Sequence, residues 1–198
     1  MRLVLLVRHA AHDQVATILA GRMPGVNLGA EGRAQAARLA DRLRGERLEA
    51  VQSSPRARTL ETAEAIATAA GLPAPTPVDA LDEIDFGAWS GQGFDALDDD
   101  PRFRQWNASR ATARAPGGES MGEVQVRAMA HLAALGMAGA PQCLALVTHA
   151  DVIKAVVCHV LGLSLDAWWR FHIAPASITR VEAGPQGFRL TGLNEVIP

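Results

Sequence analysis

Cysteine is scarce in this chain. Cys143 and Cys158 are the only two, and they form no CxxC pair. That count argues against a disulfide framework or a cysteine metal site and fits a reducing compartment, where a thiol serves as a small hydrophobe. An excess of one charge sign is also missing. A formal net charge of −2 gives no basic footprint for nucleic acid and no polybasic patch for a membrane surface. No apolar run approaches the length of a membrane span. The amino-terminal run from Leu3 to Val7 is too short for a signal-peptide core and is broken at once by Arg8-His9. The glycine-rich phosphate and dinucleotide loops are absent, and so is HExxH. His9, His12, Asp13, His149, Asp151 and His172 are ligand types, but none stands at metal-site spacing. These absences predict a cytoplasmic protein with no resident metal or cofactor. Monomer and homodimer stay equally open.

What is present reads as α/β. At 198 residues the chain is long enough for one sizeable core. Leu3-Val4-Leu5-Leu6-Val7 and Leu144-Ala145-Leu146-Val147 are short uninterrupted apolar runs, as expected of strands buried on both faces of a parallel sheet. Ala50 to Ser53 is a third strand, and Thr76 to Val78 a brief fourth. Glu31 to Arg44 has Ala36, Leu39, Ala40 and Leu43 at helical spacing, with Gly45 after it. A second helix is predicted from near Pro55 to Gly71. Ser120 and Glu123 form a capping box that opens a third, and Val152 to Leu161 makes a fourth, stopped by Gly162. The tail reads as a hairpin, Ile178 to Glu182 and Phe188 to Leu193, turning through Gly184-Pro185-Gln186-Gly187. One domain over residues 1–198 is expected, with a partly helical insertion or lid at about 91–118.

Two of the strands end alike, in Val7-Arg8-His9 and Val147-Thr148-His149. Ligands of open α/β sheets bind outside the carboxyl ends of the strands, so both imidazoles are expected at one sheet edge. Ser53-Ser54-Pro55-Arg56-Ala57-Arg58 opens a helix after another strand. Its free N–H groups and guanidinium forks suit a phosphate or carboxylate. Glu83 lies among Leu81, Ile84 and Phe86, surroundings that desolvate a carboxyl and raise its pKa toward general-acid use.

These residues carry a pattern that resembles the histidine phosphatase superfamily, the phosphoglycerate-mutase-like family. Arg8-His9-Ala10 stands where the family has Arg-His-Gly. Ser53-Ser54-Pro55 with Arg58 and Thr62-Ala63 is similar to its second signature. Glu83 before Phe86-Gly87-Ala88-Trp89-Ser90-Gly91, then Pro116-Gly117-Gly118-Glu119-Ser120, then Thr148-His149-Ala150-Asp151-Val152-Ile153 follow in the family's order. The departures are Ala10 and Ala150, which replace glycines, and the loop after His9, which has neither the usual Glu-Thr nor the later Asn. Ala20-Gly21-Arg22 is like another family feature. The resemblance implies a three-layer α/β/α sandwich with a mostly parallel central sheet. It implies a metal-independent phosphomonoesterase acting on a small phosphorylated metabolite through a phosphohistidine. His9 would be the nucleophile and Glu83 the general acid. Arg8, Arg58 and a protonated His149 would hold the phosphoryl group, and Arg22 would add a substrate contact. The alternatives are a 2,3-bisphosphoglycerate-dependent phosphoglycerate mutase and a non-catalytic module that binds a phosphorylated ligand.

Overall fold

A computed structural model describes residues 1–137 and 139–198. Among these residues six strands form one sheet in the order β3-β2-β4-β1-β5-β6. They are β1 (Arg2–Arg8), β2 (Ala50–Ser53), β3 (Thr76–Pro77), β4 (Cys143–Thr148), β5 (Ile178–Gly184) and β6 (Gly187–Glu195). β1, β2, β3 and β4 pair in parallel, whereas β5 and β6 are antiparallel additions at one edge. The hairpin expected at the tail is therefore part of the main sheet.

Strand periodicity explains the layering. Val4, Leu6, Leu144 and Leu146 face one side of the sheet, where α5 (Met121–Leu135) and α6 (Ala150–Val160) cover them. Leu5, Val7, Ala145 and Val147 face the other, against α1 (Ala30–Leu43) and α2 (Ala57–Ala70). The result is the expected three-layer α/β/α sandwich. α1 buries Ala36, Leu39, Ala40 and Leu43, the stripe its spacing predicts. α5 begins with both halves of the capping box in place.

Three elements differ from expectation. α2 starts at Ala57 rather than near Pro55, because Arg56 keeps extended backbone (φ −79°, ψ 144°) as the N-cap. α6 starts directly after His149, two residues early. Leu165–Arg170, without periodicity of its own, forms a 3₁₀ turn capped by Ser164. Residues 91–118 contain α3 (Phe94–Asp99) and α4 (Pro101–Ala108). Edge-to-face contacts among Phe86, Trp89, Phe103 and Trp106, at 5.2–5.8 Å between ring centroids, fasten this segment to the core.

Candidate active site

Register brings the motifs together. Val7 pairs with Val147 and Arg8 with Thr148, and the His9 N–H donates to the Thr148 carbonyl (3.0 Å). Ser53 pairs with Val147 on the other side of β4, and the Ser54 N–H donates to the Val147 carbonyl (2.9 Å). Three adjacent strands thus end side by side. The His9 and His149 rings lie 5.1 Å apart, nearly edge to face.

Hydrogen bonds fix both tautomers. His9 Nδ1 lies 2.8 Å from the Ala10 carbonyl, which can only accept, so Nδ1 carries the proton. The Nε2 lone pair is left facing the site, where Arg58 Nε donates to it (3.2 Å). Ser54 donates its hydroxyl proton to Asp82 Oδ1 (3.2 Å) and so accepts from His149 Nε2–H (2.8 Å). His149 Nδ1 then receives Arg58 Nη2 (3.1 Å) and lies 3.4 Å from Glu83 Oε2. Burial, followed by the charges of Arg58 and Arg8, holds the pKa of His9 well below the ordinary imidazole value; burial and Arg58, followed by His9 and Arg8, do the same to His149. Both shifts favour the neutral imidazole. This direction opposes the protonated His149 that the resemblance implies: burial comes first, and the two arginines beside it add to the cost of a third cation.

The arginines are held but not saturated. Arg58 is only 1% exposed, and its Nη2 also donates to the Gly21 carbonyl (2.8 Å). Arg8 Nη1 donates to the Ile173 carbonyl (2.6 Å). Arg8 Nε and Arg58 Nη1 are buried with no partner among the described residues. Orphaned guanidinium N–H groups beside a histidine lone pair form a ready receptor for a tetrahedral oxyanion.

Glu83 completes the cluster. Burial first, then the charge of Asp151, raises its carboxyl to about 7, against the opposing pull of Arg58 and Arg8. A carboxyl poised there can give and take a proton near neutral pH. Its backbone is clamped: Arg22 Nε and Arg127 Nη2 donate to the Glu83 carbonyl (2.7 and 3.1 Å), and its N–H donates to Asp82 Oδ1 (2.8 Å). Arg22, expected as a substrate contact, is bonded to Glu119 (2.8 Å) as well, and lies 3.3 Å from Asp82. Its guanidinium is committed to the acid's loop.

The chain matches the histidine phosphatase superfamily (branch 1) family model over residues 4–196. It belongs to that superfamily. Among curated relatives, phosphoserine phosphatase 1 of Hydrogenobacter thermophilus is 33% identical over 179 residues, 88% of this chain and 83% of its own length. A probable phosphoglycerate mutase of Salmonella choleraesuis is 32% identical, covering 90% of this chain and 84% of its own. A mycobacterial glucosyl-3-phosphoglycerate phosphatase in complex with VO3 superposes with a TM-score of 0.87 at 27% identity, covering 98% of this chain and 100% of that one.

Within this histidine phosphatase, the glycine replacements are accommodated without strain. Neither Ala10 nor Ala150 has a positive φ. Ala10 is fully buried and its N–H donates to Thr62 Oγ1 (3.1 Å), while Ala150 simply begins α6. Sequence reasoning missed Asp82. It binds Arg56 through both oxygens (2.9 and 2.8 Å), accepts from Ser54, and so links the acid's loop to the His149 side of the site. The one signal available was its position directly before Glu83.

Proposed function

We propose that this protein is a metal-independent phosphomonoesterase that passes the phosphoryl group of a small phosphorylated metabolite to His9 and then to water. The observation that carries this reading is the His9 Nε2 lone pair, held neutral and aimed into a buried site rimmed by unsaturated Arg8 and Arg58 N–H groups. A non-catalytic binding module needs neither that nucleophile nor an acid such as Glu83. The phosphatase names of the relatives support the same substrate class.

In the first step Arg58 Nε turns its N–H from His9 Nε2 to a phosphoryl oxygen. The freed Nε2 lone pair bonds to phosphorus in line, the ester P–O bond breaks, and Glu83 gives its proton to the departing alkoxide. Arg8 and Arg58 stabilise the charge spread over the non-bridging oxygens. The neutral His149 keeps Arg58 in place through its Nδ1, which accepts from Arg58 Nη2. In the second step Glu83 carboxylate takes a proton from water, the water oxygen bonds to phosphorus, and the P–N bond breaks to release phosphate. Arg22, with Arg127 and Asp82, keeps the acid's loop in place.

Colour release from p-nitrophenyl phosphate, combined with quenching of a ³²P-labelled turnover mixture, tests the reading. Steady release together with an acid-labile, alkali-stable protein label is expected. Absence of both would overturn it.

A further inference from the structure

His12 stands beside this machinery and the steps above do not use it. Its position is fixed by the loop it sits on. The Ala11 N–H donates to Gln35 Oε1 (3.0 Å), the Gly29 N–H to the Ala11 carbonyl (3.2 Å), and the Val15 N–H to the His12 carbonyl (3.0 Å). α1 meets this loop so closely that a Cβ at Gly32 would collide with the Ala11 carbonyl oxygen. A rigid loop therefore presents the His12 ring 5.9 Å from the His9 ring, centroid to centroid, at a tilt of 30°.

Its hydrogen-bonding capacity is not met by the protein. His12 Nδ1 is buried and has no partner among the described residues, whereas a histidine retained for packing normally satisfies its buried nitrogens. Burial, then Arg58 and Arg8, lowers its pKa to about 4, with Asp13 opposing. The ring therefore lies in the field of both guanidinium groups assigned to the phosphoryl oxygens. It also lines a cavity of about 220 Å³ with Asp13, Gln14 and Asn27.

We propose that His12 is a substrate-binding residue that donates an imidazole N–H to an oxygen of the phosphoryl group held by Arg8 and Arg58. A neutral imidazole always has one N–H to give. The proposal rests on the phosphatase reading, because it uses the same oxyanion site.

Calorimetric titration with inorganic phosphate and with vanadate tests it, on the wild type, H12Q, H12F and H12L. A hydrogen bond to a charged oxygen corresponds to roughly 10- to 100-fold in affinity. H12F and H12L, two donor-free replacements of different shape, are expected to lose about that much. H12Q, whose amide can donate, is expected to recover most of it. Thermal melts identify any variant that has failed to fold, and the comparison is made among the folded ones. Wild-type affinity in H12F or H12L, or equal loss in all three, overturns the proposal. A wild type that binds neither anion and releases no phosphate overturns the phosphatase reading instead.

Discussion

At the residue scale the site works by withholding charge. His9 and His149 stay neutral because burial and two neighbouring arginines oppose a further cation, so the nucleophile needs no deprotonation before it attacks. H9A is expected to lose the acid-labile label and turnover together; label that persists in this variant would assign the nucleophile elsewhere. For Glu83 the expectation depends on the leaving group. E83Q should slow alkyl phosphates by roughly 10²- to 10⁴-fold and aryl phosphates far less, since phenolates leave without help. Equal losses on both would mean that Glu83 only positions something. The raised carboxyl pKa also has a signed consequence for stability. The folded state holds this proton up to about pH 7, while the unfolded chain releases it near the ordinary carboxyl value of 4.5. The contribution is complete below pH 4.5 and is lost as pH rises through 7. E83Q is therefore expected to be more stable than wild type at pH 8, by ~1–3 kcal/mol, and level with it near pH 4. Denaturant melts at both values decide, and a constant difference would reject the assignment.

At the scale of elements, the packing of Gly32 makes a prediction that helix propensity reverses. In an exposed helix, glycine to alanine gains about 1 kcal/mol. Here the added methyl meets the Ala11 carbonyl, and overpacking costs ~1–3 kcal/mol. G32A is expected to melt lower and, by shifting the loop that follows His9, to lower kcat/KM; a raised Tm with unchanged activity would contradict the close approach. The sequence made the two central strands legible because they are continuous apolar runs that end in the reactive residues. α1 was legible because Ala36, Leu39, Ala40 and Leu43 keep strict helical spacing. The rest depended on tertiary contacts. Nothing local marks Asp82 as the partner of Arg56 and Ser54, which lie 26 and 28 residues away. The commitment of Arg22 to Glu119 spans 97 residues. The charge state of His149 depends on an arginine from another element, which no pattern around His149 contains.

At the scale of the whole molecule the question is which acceptor takes the phosphoryl group. A bisphosphate-dependent mutase needs free cationic groups for a second phosphoryl end. The arginines of segment 91–118 are engaged: Arg102 with Asp100, Arg104 with the Asp98 carbonyl, Arg110 with Asp151, and Arg114 with Glu123. Arg110 is further sandwiched between Trp106 and Trp168, at 3.5 and 3.9 Å from the ring centroids. Little interconversion of 3- and 2-phosphoglycerate is expected in an enolase-coupled assay, even with the bisphosphate primer. Primer-dependent turnover well above phosphate release would favour the mutase. Among the described residues no three histidine, cysteine or acidic side chains converge in a metal-holding group. Dialysis against a strong chelator is expected to leave activity unchanged, with vanadate inhibiting before and after. Activity restored only by a divalent ion would refute the proposed chemistry.

The sheet order carries one more consequence. His9 and His149 are carried by β1 and β4, the two middle strands, each flanked by hydrogen-bonded neighbours on both sides. Amides in such strands exchange with solvent only through the rarest openings of a protein. The protons of Val4 to Val7 and of Leu144 to Val147 are thus expected to be the slowest to exchange. His9 and His149 are therefore expected to leave their places only with the fold itself, so activity should not outlast the far-ultraviolet signal.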